Sequence, residues 1–370
     1  MEATGHYYTV YYISLAVGFP NNEAQKIAFY TQMADQVHEL DATDQEKAQA
    51  VKLLPSAATG AALGGIIVAY MISIGAAPET GGASLLALPV LAERLHRIVE
   101  GIKIGAVAGI KIQEIIDAET RTANDWRLTI EYGLHALTGK NAEAERKITT
   151  NLLKSTSGDQ PVRFGFLIHR LGDTYAHTMP NSKYLHKSSE SMANLMERGH
   201  LWEGTHSDHG WERQNIFFSY IDNLYEVLNE RAAKSIVGRT NTLPLNEIKR
   251  FYNEVFTIAR NVDENMAREI GFFERIVIYE GIKPTTGIVE KYMRIEKTVQ
   301  KIIIGHIKNE VKKKFKVIMD SYRPENEELM TLDMFLKQNP KIKNKAGKNI
   351  TAEDIRNIVR TIAQNVTPNE

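Results

Sequence analysis

Three titratable residues follow one another at four-residue intervals near the middle of the chain: His169, Asp173 and His177. They lie within Phe164–Thr178, where apolar residues recur at three- and four-residue steps, which predicts a helix. A step of four rotates a helical side chain by only about 40°, so the three groups fall on one stripe. Burying them is costly unless something pairs them, and zinc readily takes His nitrogen and Asp oxygen. The stripe therefore indicates a metal site, with a structural hydrogen-bond cluster as the alternative.

Other histidines and aspartates in the first part of the chain extend this candidate set. Asp35 follows the apolar stripe of a helix predicted to end near Leu40, where an unpaired carboxylate is costly. A loop around residues 199–210 holds several more histidines. The predicted metal ligands are His6, Asp35, His135, His169, Asp173, His177, His200, His206 and Asp208, with His209 beside them. This set exceeds the four ligands of one tetrahedral zinc and suits two or three adjacent ions.

A cluster of metal ions held by His and Asp is suited to phosphoester hydrolysis. The ions bind the phosphoryl oxygens, lower the pKa of a bound water and stabilise the leaving oxygen. Asp35 and Asp173 are the predicted catalytic carboxylates, and Asp35 is the candidate for bridging the ions and for orienting or deprotonating the water. Tyr7, Tyr175 and Trp202 are predicted to contact the substrate.

The elements that must position these residues are predicted to be helices. Besides the central segment, helices are expected at about residues 22–40, 125–137, 141–153 and 217–231. The sequence has no β-hairpin series and no glycine loop suited to phosphate. We therefore expect an all-α fold, in which residues 1–240 form a hydrolase-like helical domain and residues 241–370 a charged helical C-terminal region.

The composition is that of an ordinary globular protein, with 43% hydrophobic and 24% charged residues among 370. A formal net charge of zero argues against a protein that only wraps nucleic acid. There is no cysteine, so any metal must be held by His, Asp and Glu rather than by thiolates. The N-terminus lacks the pattern of a secretory signal and begins abruptly, as if cut from a longer chain.

One long stretch is unusually apolar. No charged residue occurs from Leu53 to Pro78, and in a second apolar run Gly101, Gly105 and Gly109 recur every four residues. This pattern predicts an Ala/Gly-rich helical hairpin at about residues 53–118, inserted into the first domain. The hairpin either contacts or enters a lipid bilayer, which we favour, or is a buried soluble hairpin.

A second stretch is strongly basic. Residues 291–316 contain many more lysines than carboxylates and end in the sequence Lys312-Lys313-Lys314-Phe315-Lys316. Such a run is usually a solvated helix face. The functional alternative is contact with anionic phospholipid or with a nucleic-acid backbone.

Over roughly residues 5–230, the order of the His and Asp residues resembles that of the all-helical zinc-dependent phospholipase C and single-strand nuclease family. The resemblance implies a multi-helix phospholipase C-like bundle around two or three zinc ions. Its motifs fall in order on His135, His169, Asp173, His177 and the His206/Asp208 region, with Asp35 as the bridging carboxylate. Two positions depart from the pattern: His6 is internal where that family uses the N-terminal residue itself, and the last His-x-x-x-Glu pair has no clean counterpart.

A second resemblance is carried by Gly5–Tyr11, Phe29–Asp35, Leu134–Gly139 and Gly199–Tyr225. These segments resemble C-terminal toxin domains of Rhs-type polymorphic toxins. The resemblance implies release from an Rhs shell, delivery into a target bacterial cell without a signal peptide, and a cognate immunity protein as partner. Such a toxin would act at the membrane, or in the cytoplasm or periplasm, of the target cell.

Together these features favour an antibacterial toxin that acts as a metal-dependent phosphodiester hydrolase on membrane phospholipid. A nuclease of the same fold is one alternative, with nucleic acid as the substrate. A pore-forming toxin is another, in which residues 57–112 insert and the His cluster is structural. A non-catalytic binding or structural domain is the remaining class.

Overall fold

The computed structural model describes residues 4–42, 126–179, 182–186, 210–235, 239, 241–268, 286–319, 330–339, 342 and 348–366. These ranges are mainly helical, and β-structure within them is limited to isolated bridges such as Thr178 with Leu185. The predicted all-α fold is therefore confirmed. The predicted hairpin at residues 53–118 lies outside the described ranges. Among the helices that the structure describes, none is both long and apolar enough to cross a membrane.

The described helices begin with a π-helical turn, Thr4–Thr9, that leads directly into α1. They are α1 Val10–Ala16, α2 Asn21–Gln36, α3 126–133, α4 Ala142–Ser155, α5 Pro161–Ala176, α6 Gln214–Ser235, α7 Leu245–Arg268, α8 Thr286–Phe315, α9 Leu332–Gln338 and α10 Ala352–Val366. Local sequence explains several of their starts. Asn141 caps α4 by accepting a hydrogen bond from the Ala144 amide, and Thr351 and Asp354 form a reciprocal capping box at α10.

The chain divides into two compact units. The first contains Met1–Ala34, Glu131–Glu325 and Lys341–Glu370, and the second contains Asp35–Ile130 and Asn326–Pro340. The predicted domain boundary near residue 240 stays a prediction.

In the first unit, α5 is the helix that positions the candidate site. Pro161 begins it at a position where a missing N–H costs nothing, and nearly all of its residues are buried. It packs against α4 and α6 and also contacts the π-helical turn and α10. On its α4 side, the buried guanidinium of Arg170 donates hydrogen bonds to Glu145 and Thr149, and so satisfies a charge that would otherwise be costly in the core.

The N-terminal segment of the first unit lies in an aromatic core. Its residues from Thr4 to Val17 are buried. The Tyr252 hydroxyl of α7 donates to Thr9 Oγ1 at 2.8 Å, and the ring of Phe217 packs edge-on against that of Phe256. This packing fixes the π-helical turn, and with it His6, against α5 and α8.

The second unit includes the end of α2, most of α3 and α9. Met330 pairs with the residues that follow α2, since the His38 amide donates to its carbonyl at 3.0 Å. Glu39 accepts a hydrogen bond from the Leu332 amide at 2.8 Å, and its own carbonyl accepts one from Trp126 Nε1 at 3.2 Å. These bonds tie the short α9 and the start of α3 to the chain that leaves α2.

Candidate metal centre

The structure brings four of the predicted histidine ligands around the carboxylate of Asp173. His6 Nε2 lies 3.0 Å from Oδ1. His135 Nδ1 lies 3.0 Å, His169 Nε2 3.2 Å and His177 Nε2 3.6 Å from Oδ2. All five side chains are buried, although 167 positions separate His6 from Asp173 along the chain. Five of the predicted ligands therefore lie together around one carboxylate.

The imidazole rings also contact one another. The ring of His6 stacks on that of His169 with centroids 4.0 Å apart, and His135 meets His169 edge-on at 4.8 Å. These contacts hold each ring in one orientation, so the nitrogens converge on a single small volume beside Asp173.

A backbone carbonyl fixes the proton of His169. Its Nδ1 lies 3.0 Å from the carbonyl oxygen of Thr31 in α2, and because that oxygen can only accept, Nδ1 is the donor. In the neutral form that binds metal, His169 has the lone pair of Nε2 directed toward Asp173 Oδ2 at 3.2 Å. Two acceptors that face each other require a proton or a metal ion between them. In metal sites, the ring nitrogen of a His that does not bind the metal commonly donates to a backbone carbonyl, as Nδ1 of His169 does here.

The donor set fits zinc. The atoms His135 Nδ1, His169 Nε2 and Asp173 Oδ2 form a triangle with sides of 3.0, 3.2 and 3.2 Å. In tetrahedral zinc with ligand bonds of about 2.0–2.1 Å, neighbouring ligand atoms lie about 3.3 Å apart. Three ligand atoms of the right chemical types are therefore spaced as three corners of such a tetrahedron. This geometry supports a metal ion here.

The charges of the cluster also suit a metal ligand set. Burial by itself would raise the pKa of the Asp173 carboxyl, but the charge of the N-terminal amino group, then the charges of His169 and His177 and the hydrogen bond from His135, outweigh it. They hold the pKa of that carboxyl well below its usual range. Burial lowers the pKa of His6 to about 4, and the charge of His169 acts in the same direction. Near neutral pH the carboxylate is ionised and His6 is neutral, the forms that bind metal.

Glycine makes room for His6 on α5. A Cβ at position 172 would lie 2.9 Å from His6 Cε1, closer than real side chains approach. Gly172 therefore permits the ring of His6 to reach Asp173.

At the end of α5, Arg213 donates to the carbonyls of Ala176 and Thr178 at 2.6 and 2.5 Å. These bonds satisfy terminal carbonyls and hold the turn that carries His177.

His135 reaches the cluster from a turn rather than from a helix. The prediction placed it on the last turn of a helix, but α3 ends at residue 133. The next residue, Ala136, adopts φ of 53°, a left-handed conformation that is uncommon outside glycine, and the Leu137 amide donates to the Glu131 carbonyl at 2.9 Å. This local reversal directs the His135 ring toward Asp173.

The remaining predicted site residues have different outcomes. Asp35 is half-buried on the last turn of α2 and belongs to the second unit, so its bridging role stays a prediction. Tyr7 is buried against the rings of Tyr8 and Tyr11, and its substrate role also stays a prediction. His200, Trp202, His206, Asp208 and His209 lie outside the described residues.

Tyr175, the third predicted substrate contact, lies at the edge of a surface cleft of about 540 Å³ between α5, α6 and the start of α7. Its hydroxyl accepts a hydrogen bond from Asn223 at 3.2 Å, and the guanidinium of Arg146 lies 4.0 Å above its ring. Burial raises the pKa of Tyr175, so the hydroxyl keeps its proton at neutral pH. Tyr175 is 5% exposed at this edge, and its substrate role stays a prediction.

Sequence reasoning missed the groups that support the ligands. The carbonyl of Thr31 carries no sequence signal, because every residue has one. Gly165 and Gly172 did carry a signal, since two glycines seven residues apart mark one face of α5 as a place of close approach. Arg213 lies far from the cluster in sequence, and nothing in its neighbours marks it as a partner of the end of α5.

Comparison of the chain with known protein families, with curated proteins and with solved structures gives no match. A function must therefore be argued from the site itself. The resemblances to the phospholipase C and nuclease family and to Rhs toxin domains stay predictions.

Proposed function

We propose that the cluster around Asp173 is a zinc centre and that the chain is a metal-dependent phosphodiester hydrolase that acts on membrane phospholipid. The single observation that carries this proposal is the triangle of His135 Nδ1, His169 Nε2 and Asp173 Oδ2, with sides of 3.0, 3.2 and 3.2 Å. The absence of cysteine supports the same conclusion, because His and Asp are the metal ligands that this chain offers.

His135, His169 and Asp173 would hold the ion, with His6 and His177 completing the ligand set or holding a second ion. Zinc supplies a Lewis acid for the phosphoryl oxygen and lowers the pKa of a bound water. Within the chain, the Thr31 carbonyl holds the proton of His169 on Nδ1. The lowered pKa of Asp173 favours a role as a ligand over a role as proton acceptor.

The proposed substrate and setting rest on the sequence. The uncharged stretch from Leu53 to Pro78 supports contact with lipid, and the segments that resemble Rhs toxin domains support an antibacterial toxin. As such a toxin, the chain would be released from an Rhs shell inside a target bacterial cell. It would be held inactive by an immunity protein in the cell that produces it.

Hydrolysis of phospholipid vesicles by the purified chain tests this proposal, with release of the phosphorylated headgroup as the readout. We expect activity that depends on zinc and that falls by more than about a hundredfold in His169→Ala and Asp173→Asn, since even the loss of a supporting residue costs 10–100-fold. His306→Ala is the matched control, because His306 is half-exposed on α8. Undiminished hydrolysis in both site variants would overturn the proposal.

Two parallel assays separate the alternatives. Cleavage of single-stranded DNA or RNA without lipid hydrolysis would identify a nuclease built on the same metal centre. Leakage of dye from vesicles that persists in chelator, with no headgroup released, would identify a pore-forming toxin whose His cluster is structural.

A further inference from the structure

The exposed side chains along α8 and just beyond it are almost all lysines. Between Ile295 and Met319, the described side chains that are exposed are Lys297, Lys301, Asn309, Lys312, Lys313, Lys316 and Ile318. The one carboxylate described in this segment, Glu310, is largely buried, with 17% of its side chain exposed. We call the five exposed lysines of this segment the lysine face: Lys297, Lys301, Lys312, Lys313 and Lys316.

The lysine face is held rigidly by the core. Val299, Ile303, Ile307 and Val311 on the inner side of α8 are buried, so the helix cannot rotate without exposing them. At 100° per residue, Lys297, Lys301 and Lys312 fall within about 60° of one another. With a rise of 1.5 Å per residue, the row they form is about 22 Å long. A flat charged partner could therefore contact the whole row at once.

Little neutralises these charges within the part of the chain that the structure describes. Lys314, outside the lysine face, pairs with Glu247 at 3.2 Å. By contrast, Lys297, Lys301, Lys312 and Lys313 make no ion pair with another described residue. A row of like charges on a rigid helix is a favourable surface for a polyanion, because their mutual repulsion is relieved when an opposite charge approaches.

An exposed aliphatic side chain at the end of the row indicates which polyanion fits. Ile318 is 78% exposed, the largest exposure among the large hydrophobic residues described. It lies two residues after Lys316, which directly follows the end of α8 at Phe315 and has φ of 60°. Lysines beside an exposed aliphatic residue are typical of a membrane interface, where charge meets headgroups and the apolar group enters the acyl boundary. Proteins that bind single-stranded nucleic acid instead use exposed aromatic rings on which the bases stack. No aromatic ring is among the exposed side chains that the structure describes in this segment.

We propose that the lysine face and Ile318 form the surface that docks the chain on a bilayer containing anionic phospholipid. The choice of a lipid partner rests on the proposed function. A docking surface of this kind would bring the chain to its lipid substrate. The lysine face lies outside the metal centre, so docking and hydrolysis can be measured separately.

Co-sedimentation of the full chain with vesicles of phosphatidylcholine, with and without phosphatidylglycerol, tests the docking surface. We expect binding only to the anionic vesicles, weakening as salt is added. The variant Lys297→Gln/Lys301→Gln/Lys312→Gln should bind roughly a hundredfold more weakly, since each lysine near an anionic surface contributes a factor of about five. Ile318→Ser should weaken binding at high salt, where the apolar contact remains.

The matched control is Lys147→Gln/Lys183→Gln/Lys337→Gln, which removes the same charge from exposed lysines on other parts of the chain. Equal loss of binding in both triple variants would overturn the proposal, because total charge would then explain it. Binding of single-stranded oligonucleotide that is stronger than vesicle binding and lost in the α8 variant would also overturn it.

Hydrolysis of detergent-dispersed phospholipid distinguishes a failure of docking from a failure of the proposed function. The α8 variant should hydrolyse the dispersed lipid at the wild-type rate while losing activity on vesicles. If the wild type binds anionic vesicles through α8 yet hydrolyses neither form of lipid, the docking surface stands and the proposed hydrolase function fails.

Discussion

At the scale of single residues, Asp173 is the group around which the site is built. Its two oxygens divide the surrounding histidines, with His6 on Oδ1 and His135, His169 and His177 on Oδ2. This division has a chemical consequence. A hydrogen bond from His6 orients the carboxylate, so that Oδ2 faces the nitrogens that would share a metal ion with it.

A second buried charge lies on the other side of α5, and its loss should be felt in stability. Arg170 and Glu145 are both buried and paired, so Glu145→Ala leaves an uncompensated guanidinium in the core. We expect the free energy of unfolding to fall by about 3–5 kcal/mol in urea denaturation. Glu226→Ala is the matched control, because the Lys154–Glu226 pair is exposed and its loss should cost less than about 1 kcal/mol. Similar losses in both variants would contradict a structural role for the buried pair.

At the scale of elements, the close packing of α2 against α5 holds the Thr31 carbonyl within hydrogen-bond distance of His169 Nδ1. A Cβ at position 165 would lie 2.7 Å from the carbonyl carbon of Tyr30 and 2.9 Å from the Thr31 nitrogen, so Gly165 sets the distance between the two helices. The Thr31 carbonyl reaches His169 Nδ1 only because this contact is so close.

Gly165→Ala should therefore weaken metal binding without touching a ligand. We expect zinc affinity to fall by about 10–100-fold, because the Thr31 carbonyl moves away from His169, and stability to fall by about 1–3 kcal/mol from overpacking. Competition with a chromophoric chelator measures the affinity. Gly305→Ala is the control, since a Cβ there meets open space and should leave affinity unchanged. Unchanged affinity in Gly165→Ala would show that the carbonyl does not support the site.

The sequence predicts elements better than it predicts how they meet. The apolar spacing around His169 predicted a helix at 164–178, and the structure has Pro161–Ala176 with the stripe buried as expected. The turn at His135 could not be predicted, because nothing in the sequence marks Ala136 for a left-handed conformation. The spacing of Gly165 and Gly172 marks a face of close approach on α5, but it does not reveal that His6 is the group that packs at Gly172.

At the scale of the whole molecule, the cluster joins parts of the first unit that are far apart in sequence. His6 comes from the N-terminal turn, His135 from the segment after α3, and the remaining members from α5 and its end. A metal ion bound by groups from all three should stabilise their packing, because a ligand that binds only the folded state shifts the unfolding equilibrium.

Removal of metal should therefore lower thermal stability. With zinc at about 100 times its dissociation constant the gain is about 2.7 kcal/mol, which for a chain of 370 residues corresponds to a fall in Tm of roughly 3–4 °C on chelation. Differential scanning calorimetry with and without chelator measures it. The Tm of Asp173→Asn should not change when chelator is added, because this variant lacks the metal site. A Tm that chelator leaves unchanged in the wild type would mean that the cluster is held by hydrogen bonds alone.

The most direct test is elemental analysis of the purified chain after dialysis against zinc. A metal centre at Asp173 requires at least one tightly held zinc per chain in the wild type, retained in His306→Ala and lost in both His169→Ala and Asp173→Asn. A wild-type chain that holds no zinc, or site variants that hold as much as the wild type, would contradict the metal centre and with it the proposed hydrolase.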